Sequence, residues 1–361
     1  MKINLKINEG IKKLMFFSLI VLLSMIIIPI VVISKPKALV NDKKIEGADN
    51  QVNELPIVNK DEEKDEIIKK EINLNIEDEI KVYLREKDKI INLPIDEYIK
   101  SVVSGEMPVS FEIEALKAQS VAARTFAMSR MLTPCEEANG ADVCDSTHCQ
   151  VYLDKEVRLG LWDKNKADEH WSKIEIAVEG TTDQVLTYKD ELVKYPQFFS
   201  TSSGKTENSG DVFISQLDYL VSVESKGEEI APRYKEDFTL DINDFIDKIN
   251  SKYGDLNLTK ANLNENIKII SRSKGGGVKE ISIGEEVIKG TELRYYLGLT
   301  STNFEIEIKD NQIIFKCTGY GHGVGMSQWG ANVMGQDGKD YNEILKHYYT
   351  GIEIKEVSYE N

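Results

Sequence analysis

LPIDEYIKSVVSGEMPVSFEIEALKAQSVAARTFAMSRM, residues 93–131, decides how the rest of the chain is read. Two helical patterns meet in it at a glycine and a proline. Ile95, Tyr98, Ile99, Val102 and Val103 recur at the spacing that puts them on one helix face. Gly105 is placed to end that helix, and Pro108 forbids simple continuation. A second helix begins at Ser110 and is lined by Ile113, Leu116, Ser120, Ala123, Ala127 and Met131, with the alanine content helices favour. The joint carries Glu106 among Val102, Val103, Met107, Pro108, Val109 and Phe111. Apolar surroundings disfavour the ionised form of a carboxylic acid and raise its pKa. A general acid working near neutral pH needs such a shift. The plainer reading is a capping or surface glutamate at a helix joint.

Upstream, Ile80–Leu84 and Ile90–Leu93 flank the charged turn REKDK and predict a hairpin. Downstream, strand-like runs cover 184–188, 192–200, 219–223, 267–271, 278–283, 304–308 and 312–316. Helical patterns cover 174–179, 242–253, 291–297, 326–334 and 341–349. The two kinds are interspersed without strict alternation. The expectation is therefore an α+β fold, a single mixed domain over residues 78–361 with an antiparallel-rich sheet and helices along a groove.

The N-terminus bears on the compartment. Leu14–Ile33 reads LMFFSLIVLLSMIIIPIVVI, with no charge, and is long enough to span a bilayer core of about 30 Å. Lys2, Lys6, Lys12 and Lys13 precede it, which places residues 1–13 in the cytoplasm and the bulk of the chain outside. A cleaved signal peptide would have a shorter apolar region and an A-x-A-like site, and none precedes Lys35. An uncleaved anchor at 14–34 is expected. Residues 35–77 are rich in Lys, Glu, Asp and Asn and carry no aromatic, as expected of a flexible tether.

The 361-residue chain is 41% hydrophobic and 29% charged, so a packed core is feasible. Its net charge of −16 argues against a nucleic-acid partner. Cys135, Cys144, His148 and Cys149 cluster within fifteen residues and suit a tetrahedral zinc site, although C-x8-C-x3-H-C is no common zinc-finger spacing. Four protein ligands would leave no open position, so such a zinc would be structural. The alternative is a disulfide, most simply Cys135–Cys144, with Cys149 free or near Cys317. GYGHGVG at 319–325 is neither G-x-G-x-x-G nor a P-loop, and its glycines permit close backbone approach. His322 within it is read either as a substrate contact or as a hydrogen-bonded structural residue. FSTSSGKTEN at 199–208 offers donors and acceptors to a sugar, or is an ordinary polar loop.

These stretches recur in one order: residues 93–131, CQVY at 149–152, FFSTSSGKTENSGDVF at 198–213, DYLVSV at 218–223 and GYGHGVGMSQWGANVMGQDGKDYNEILKHYY at 319–349. From about Leu93 to the C-terminus the chain resembles the SpoIID family of lytic transglycosylases. The resemblance implies a membrane-anchored enzyme in the mother cell that cleaves peptidoglycan during forespore engulfment. Its implied substrate is glycan strands already stripped of peptides by an amidase. The implied partners are a SpoIIP-like amidase and a SpoIIM-like membrane protein. The catalytic glutamate falls on Glu106. The substrate-binding positions fall on Gln119, Arg124, Ser200, Thr201, Ser202, Asn208 and Tyr219, joined by His322 and Gln328 of the glycine-rich motif. Tyr219 follows Asp218 where the family has proline. The same domain also occurs in amidase enhancers, which bind rather than cleave. A zinc hydrolase is a third possibility, requiring an open metal position. Residues 226–266 carry no expected role.

Overall fold

The structure, a computed structural model, describes residues 71–146 and 148–359. The expected anchor at 14–34 lies outside the described residues, as does the expected tether up to residue 70. Among the described residues no helix is long and apolar enough to cross a membrane. The end of the expected tether is corrected. Glu71–Leu74 is a strand paired in parallel with the C-terminal strand Glu353–Tyr359, so ordered structure begins inside it.

Residues 93–131 form the centre of the fold. The Ile113–Leu132 helix buries residues on all sides, from Ala115 and Leu116 to Met128 and Ser129. A helix apolar all round belongs inside a core, and its alanines let neighbours approach closely. Around it pack the helices Ile95–Glu106, Ala167–Glu179, Gln328–Gln336 and Tyr341–Tyr348, and the strand Gln184–Tyr188. That strand lies between Glu353–Tyr359 and Glu191–Leu192, both antiparallel to it. The predicted hairpin is present as Glu79–Leu84 against Lys89–Pro94, with Ile80 opposite Leu93 and Val82 opposite Ile91. Asp88 makes its turn at φ 45°.

Helix boundaries differ from expectation at two informative places. The second helix starts at Ile113 rather than Ser110. The first does not stop at Gly105: it runs through Glu106, with Met107 as its C-cap. Gly105 serves proximity instead, because a Cβ there would lie 2.9 Å from Val151 Cγ1. The runs expected as strands at 192–200 and 219–223 are mostly loop; only Glu191–Leu192 and Phe198–Phe199 are strands there.

The expected single domain contains two large cores. The second is built from chain positions between Lys235 and Cys317, inserted between parts of the first. It has two three-stranded sheets. Gln312–Thr318 sits between Phe304–Lys309 and Lys235–Asp241, and Val278–Ile283 between Ile267–Arg272 and Glu286–Lys289, all antiparallel. The Ile242–Tyr253 helix, at its predicted bounds, contributes Ile242, Phe245, Ile246 and Ile249. The α+β expectation therefore holds, with mixed helices and mainly antiparallel sheets.

Arg124 ties the first core together. It is fully buried. Its Nε and Nη2 donate to Asp96 Oδ1 at 3.2 and 2.7 Å, and its Nη1 donates to the Thr181 carbonyl at 2.7 Å. Nη2 also reaches the Val178 carbonyl, so the guanidinium closes the C-terminal end of the Ala167–Glu179 helix, where cations are favoured. Asp96 is partly exposed, so the main loss on removing Arg124 is the buried Thr181 carbonyl left without its donor, about 1–3 kcal/mol. Arg124→Ala should lose stability on that scale, seen as a lower urea midpoint.

Candidate functional site

Glu106 is the last residue of its helix and is half-buried. Its Oε1 accepts the Val151 amide at 2.9 Å, and the Gln328 side chain also hydrogen-bonds the carboxyl. Burial raises its pKa, and these two hydrogen bonds oppose the rise without cancelling it. The helix C-terminus, the negative end of the macrodipole, works in the same direction as burial. The apolar surroundings legible in the sequence are real: Val102, Val103, Met107 and Phe111 are all buried.

Three expected residues come together here. Gln328, 7% exposed, begins the Gln328–Gln336 helix and bonds Glu106. Its Nε2 also lies 3.5 Å from Oε1 of Gln119 on the central helix. Gln119 thus stands behind Gln328. The Gln119 and Gln150 amide nitrogens are buried with no partner among the described residues. Ser200, Thr201 and Ser202 lie one step further back. The Ser200 carbonyl accepts the Trp329 amide at 3.0 Å, and the Ser202 amide lies 3.2 Å from Ser327 Oγ. Thr201 and Ser202 are buried, and of the three only Ser200 is partly open.

Four expected substrate contacts are placed differently. Arg124 has no exposed surface and its donors are occupied as described above. The Asn208 amide is used within its own loop, accepting from Ser222 N at 2.9 Å and donating to Asp211 at 2.9 Å. Tyr219 is 7% exposed, packs 5.4 Å from Tyr188 and is engaged by the Tyr195 backbone; burial pushes its pKa up to about 12. His322 Nδ1 accepts the Val324 amide at 3.1 Å, and its ring lies between Phe199 and Phe213. Burial, followed by the charge of Arg294, pushes its pKa down to about 4, which favours the neutral ring.

The glycine-rich run serves close approach as expected. A Cβ at Gly321 (φ 121°) would fall 2.9 Å from Phe199 Cβ, and one at Gly325 (φ 78°) would fall 1.9 Å from the Gln197 carbonyl oxygen. A cleft of about 1020 Å³ lies elsewhere. Arg130, Tyr195, Phe213, Ile214, Arg272 and Lys289 line it, and Glu106 does not.

The cysteine cluster adjoins the carboxyl through the chain. Cys144 ends the short strand Val143–Cys144, which pairs with the hairpin at Tyr83. The ligand atoms of Cys135, Cys144, His148 and Cys149 all lie within 4.8 Å of one another. Cys135 Sγ is 3.1 Å from His148 Nδ1, and Cys144 Sγ is 3.6 Å from Cys149 Sγ. A tetrahedron with metal–sulfur bonds of about 2.3 Å has edges of roughly 3.8 Å, so the donor set fits zinc. All four cysteines are free thiols, and Cys317 is buried in the second core against the Ser301 carbonyl. The expected approach of Cys149 to Cys317 does not match this placement, since the two lie in different cores. Two residues past Cys149 comes Val151, whose amide holds Glu106. Sequence reasoning missed that contact, because a backbone amide leaves no residue signature.

One consequence concerns the carboxyl alone. The Gln328 hydrogen bond lowers the Glu106 pKa, so Gln328→Leu should move the titration midpoint of Glu106 to higher pH. Carboxyl carbon chemical shifts followed by NMR would read it; an unchanged midpoint would remove Gln328 from the site.

Comparison with known proteins fits this arrangement. Residues 83–188, which include Glu106, Gln119 and all four cluster residues, match the family model for SpoIID, stage II sporulation protein. Stage II sporulation protein D of Bacillus amyloliquefaciens is 37% identical over 280 residues, covering 77% of this chain and 79% of that protein. The protein of the same name from Bacillus subtilis is 36% identical over the same shares. An amidase enhancer of Bacillus subtilis is 27% identical over 71% of this chain and 40% of its own length. With most of both chains aligned above 30% identity, this chain belongs to the SpoIID family of sporulation proteins.

Proposed function

We propose that the protein is a peptidoglycan lytic transglycosylase that cleaves the bond between N-acetylmuramic acid and N-acetylglucosamine, with Glu106 as the acid and base. The observation that carries this reading is the Glu106 carboxyl at the end of its helix, held by the Val151 amide and Gln328, with burial raising its pKa. Ordinary glycosidases employ two carboxylates. A transglycosylase manages with one. Protonated Glu106 gives its proton to the bridging oxygen as the C1–O bond breaks. The resulting carboxylate then takes the proton of the muramic acid C6 hydroxyl while that oxygen bonds to C1. A 1,6-anhydro ring closes, Glu106 regains its proton, and no water is consumed. Because the first step needs the acid form, activity falls as pH rises through the Glu106 pKa, which burial raises from its ordinary value.

The substrate in this reading is glycan freed of peptides, supplied by a SpoIIP-like amidase, with a SpoIIM-like membrane protein as a further partner. The uncharged stretch Leu14–Ile33 would anchor the chain in the engulfing mother-cell membrane with the enzyme outside. The likeness to an amidase enhancer supports a second reading, a glycan-binding module that stimulates an amidase. Mass spectrometry of amidase-treated peptidoglycan incubated with the protein separates the two. Anhydro-ended products are expected, and Glu106→Gln should abolish them while glycan binding persists. Normal product from the Gln variant would overturn the assignment, and no cleavage with stimulated amidase would favour the enhancer.

Cys135, Cys144, His148 and Cys149 would hold a structural zinc, whose role is to fix the loop that ends in Val151. One zinc per chain is expected by elemental analysis. Cys149→Ser should lower both the metal content and the melting temperature. A metal-free protein with unchanged melting in the variant would refute this site.

A further inference from the structure

Glu228 lies in the stretch to which the sequence assigned no role. It opens the single 3-10 turn Glu228–Ile230 and is 1% exposed. Its carboxylate collects donors from three separate segments. Oε2 accepts the Ser202 amide at 2.7 Å and the Ser327 hydroxyl at 2.6 Å. Oε1 accepts the Ser225 hydroxyl at 2.5 Å, and Ser225 Oγ lies 2.6 Å from the Tyr348 hydroxyl. Gly330 leaves the room for this network. A Cβ there would fall 2.0 Å from the Tyr348 hydroxyl, 2.5 Å from Ser225 Oγ and 2.7 Å from Glu228 Oε1.

All the donors to Glu228 are neutral, so the anion is held by geometry rather than by a countercharge. A buried polar network of this kind is specific because every member must be in place. The network ends at the site. Ser327 Oγ caps the Gln328–Gln336 helix, accepting the Gly330 amide at 3.3 Å. Gln328, the first residue of that helix, bonds Glu106.

We propose that Glu228 is a positioning residue for the Glu106 site: by fixing Ser202 and Ser327 it sets the helix turn that holds Gln328 against Glu106. Burial pushes its pKa up to about 7 against the three hydrogen bonds that favour the anion. The titratable groups facing it are Glu229, Tyr234 and Tyr348, with His347 against the Tyr348 ring. An acid whose folded pKa is raised stabilises the fold below its ordinary value of 4.5, and that contribution is lost as pH rises through about 7. The charge therefore costs stability at neutral pH, and an uncharged residue of the same shape would not.

The full chain tests this in two ways. The first rests on the proposed function. Glu228→Ala should lower turnover roughly tenfold or more with KM within about twofold, and Glu228→Gln should recover most of the loss. The second is independent of activity. Trp329 follows Gln328, and its fluorescence, taken as the difference from Trp329→Phe, should show a step near pH 7. The step should vanish in Glu228→Gln and persist in His347→Gln. Glu228→Gln should also melt above the wild type at about pH 8, with the gap closing below about pH 4.5. A folded Ala variant with wild-type turnover overturns the proposal, as does an unchanged step in the Gln variant. If the wild type makes no anhydro product, the transglycosylase reading fails, and the Trp329 step alone decides for or against Glu228.

Discussion

The site depends on holding one carboxyl at the end of a helix with two hydrogen bonds that come from elsewhere in the chain. The helix end and the burial both disfavour the anion of Glu106, while the Val151 amide and Gln328 keep it in one place. Neither holding group is close in sequence. Much of the surrounding fold is what is needed to bring Val151 and Gln328 to the same point.

Each arrives by its own route. Val151 follows the cysteine–histidine cluster, which is docked on the hairpin through the pairing of Tyr83 with Cys144. Gly105 lets the Val151 segment come close, since a side chain there would meet Val151 Cγ1. Gln328 comes from the other direction, at the start of a helix capped by Ser327 and packed on the central Ile113–Leu132 helix. Behind both, Arg124 joins Asp96 to the end of the Ala167–Glu179 helix and so fixes the helices among which Glu106 sits. A residue that the family resemblance suggested as a sugar contact is thus a structural clamp, because its guanidinium has no surface left for a ligand.

The second core raises a different question of scale. The insertion between Lys235 and Cys317 buries its own apolar set, from Ile242 to Phe315, and contributes no side chain to the hydrogen bonds around Glu106. Its sheets account for most of the strands that alternation and β-branched composition predicted well, because antiparallel sheets buried on one face and solvated on the other leave a strong local pattern. The loop-rich part around 198–213 was harder. Its Ser, Thr and Asn residues read equally well as sugar ligands or as loop chemistry, and in the fold most of them satisfy neighbouring backbone.

Local chemistry in the sequence alone determined the two helices meeting at Glu106, the apolar surroundings that raise its pKa, the hairpin before them and the donor types of the cysteine cluster. Each is set by residues within a few positions of one another, where helix period, proline and glycine act directly. Only the tertiary structure decided which partners reach Glu106, why Gly105 and Gly330 have no side chain, and that Arg124 and Tyr219 are buried. Those outcomes depend on backbone amides and on burial between distant segments. A one-dimensional pattern carries neither, because an amide is the same at nearly every residue and burial is a property of the packed whole.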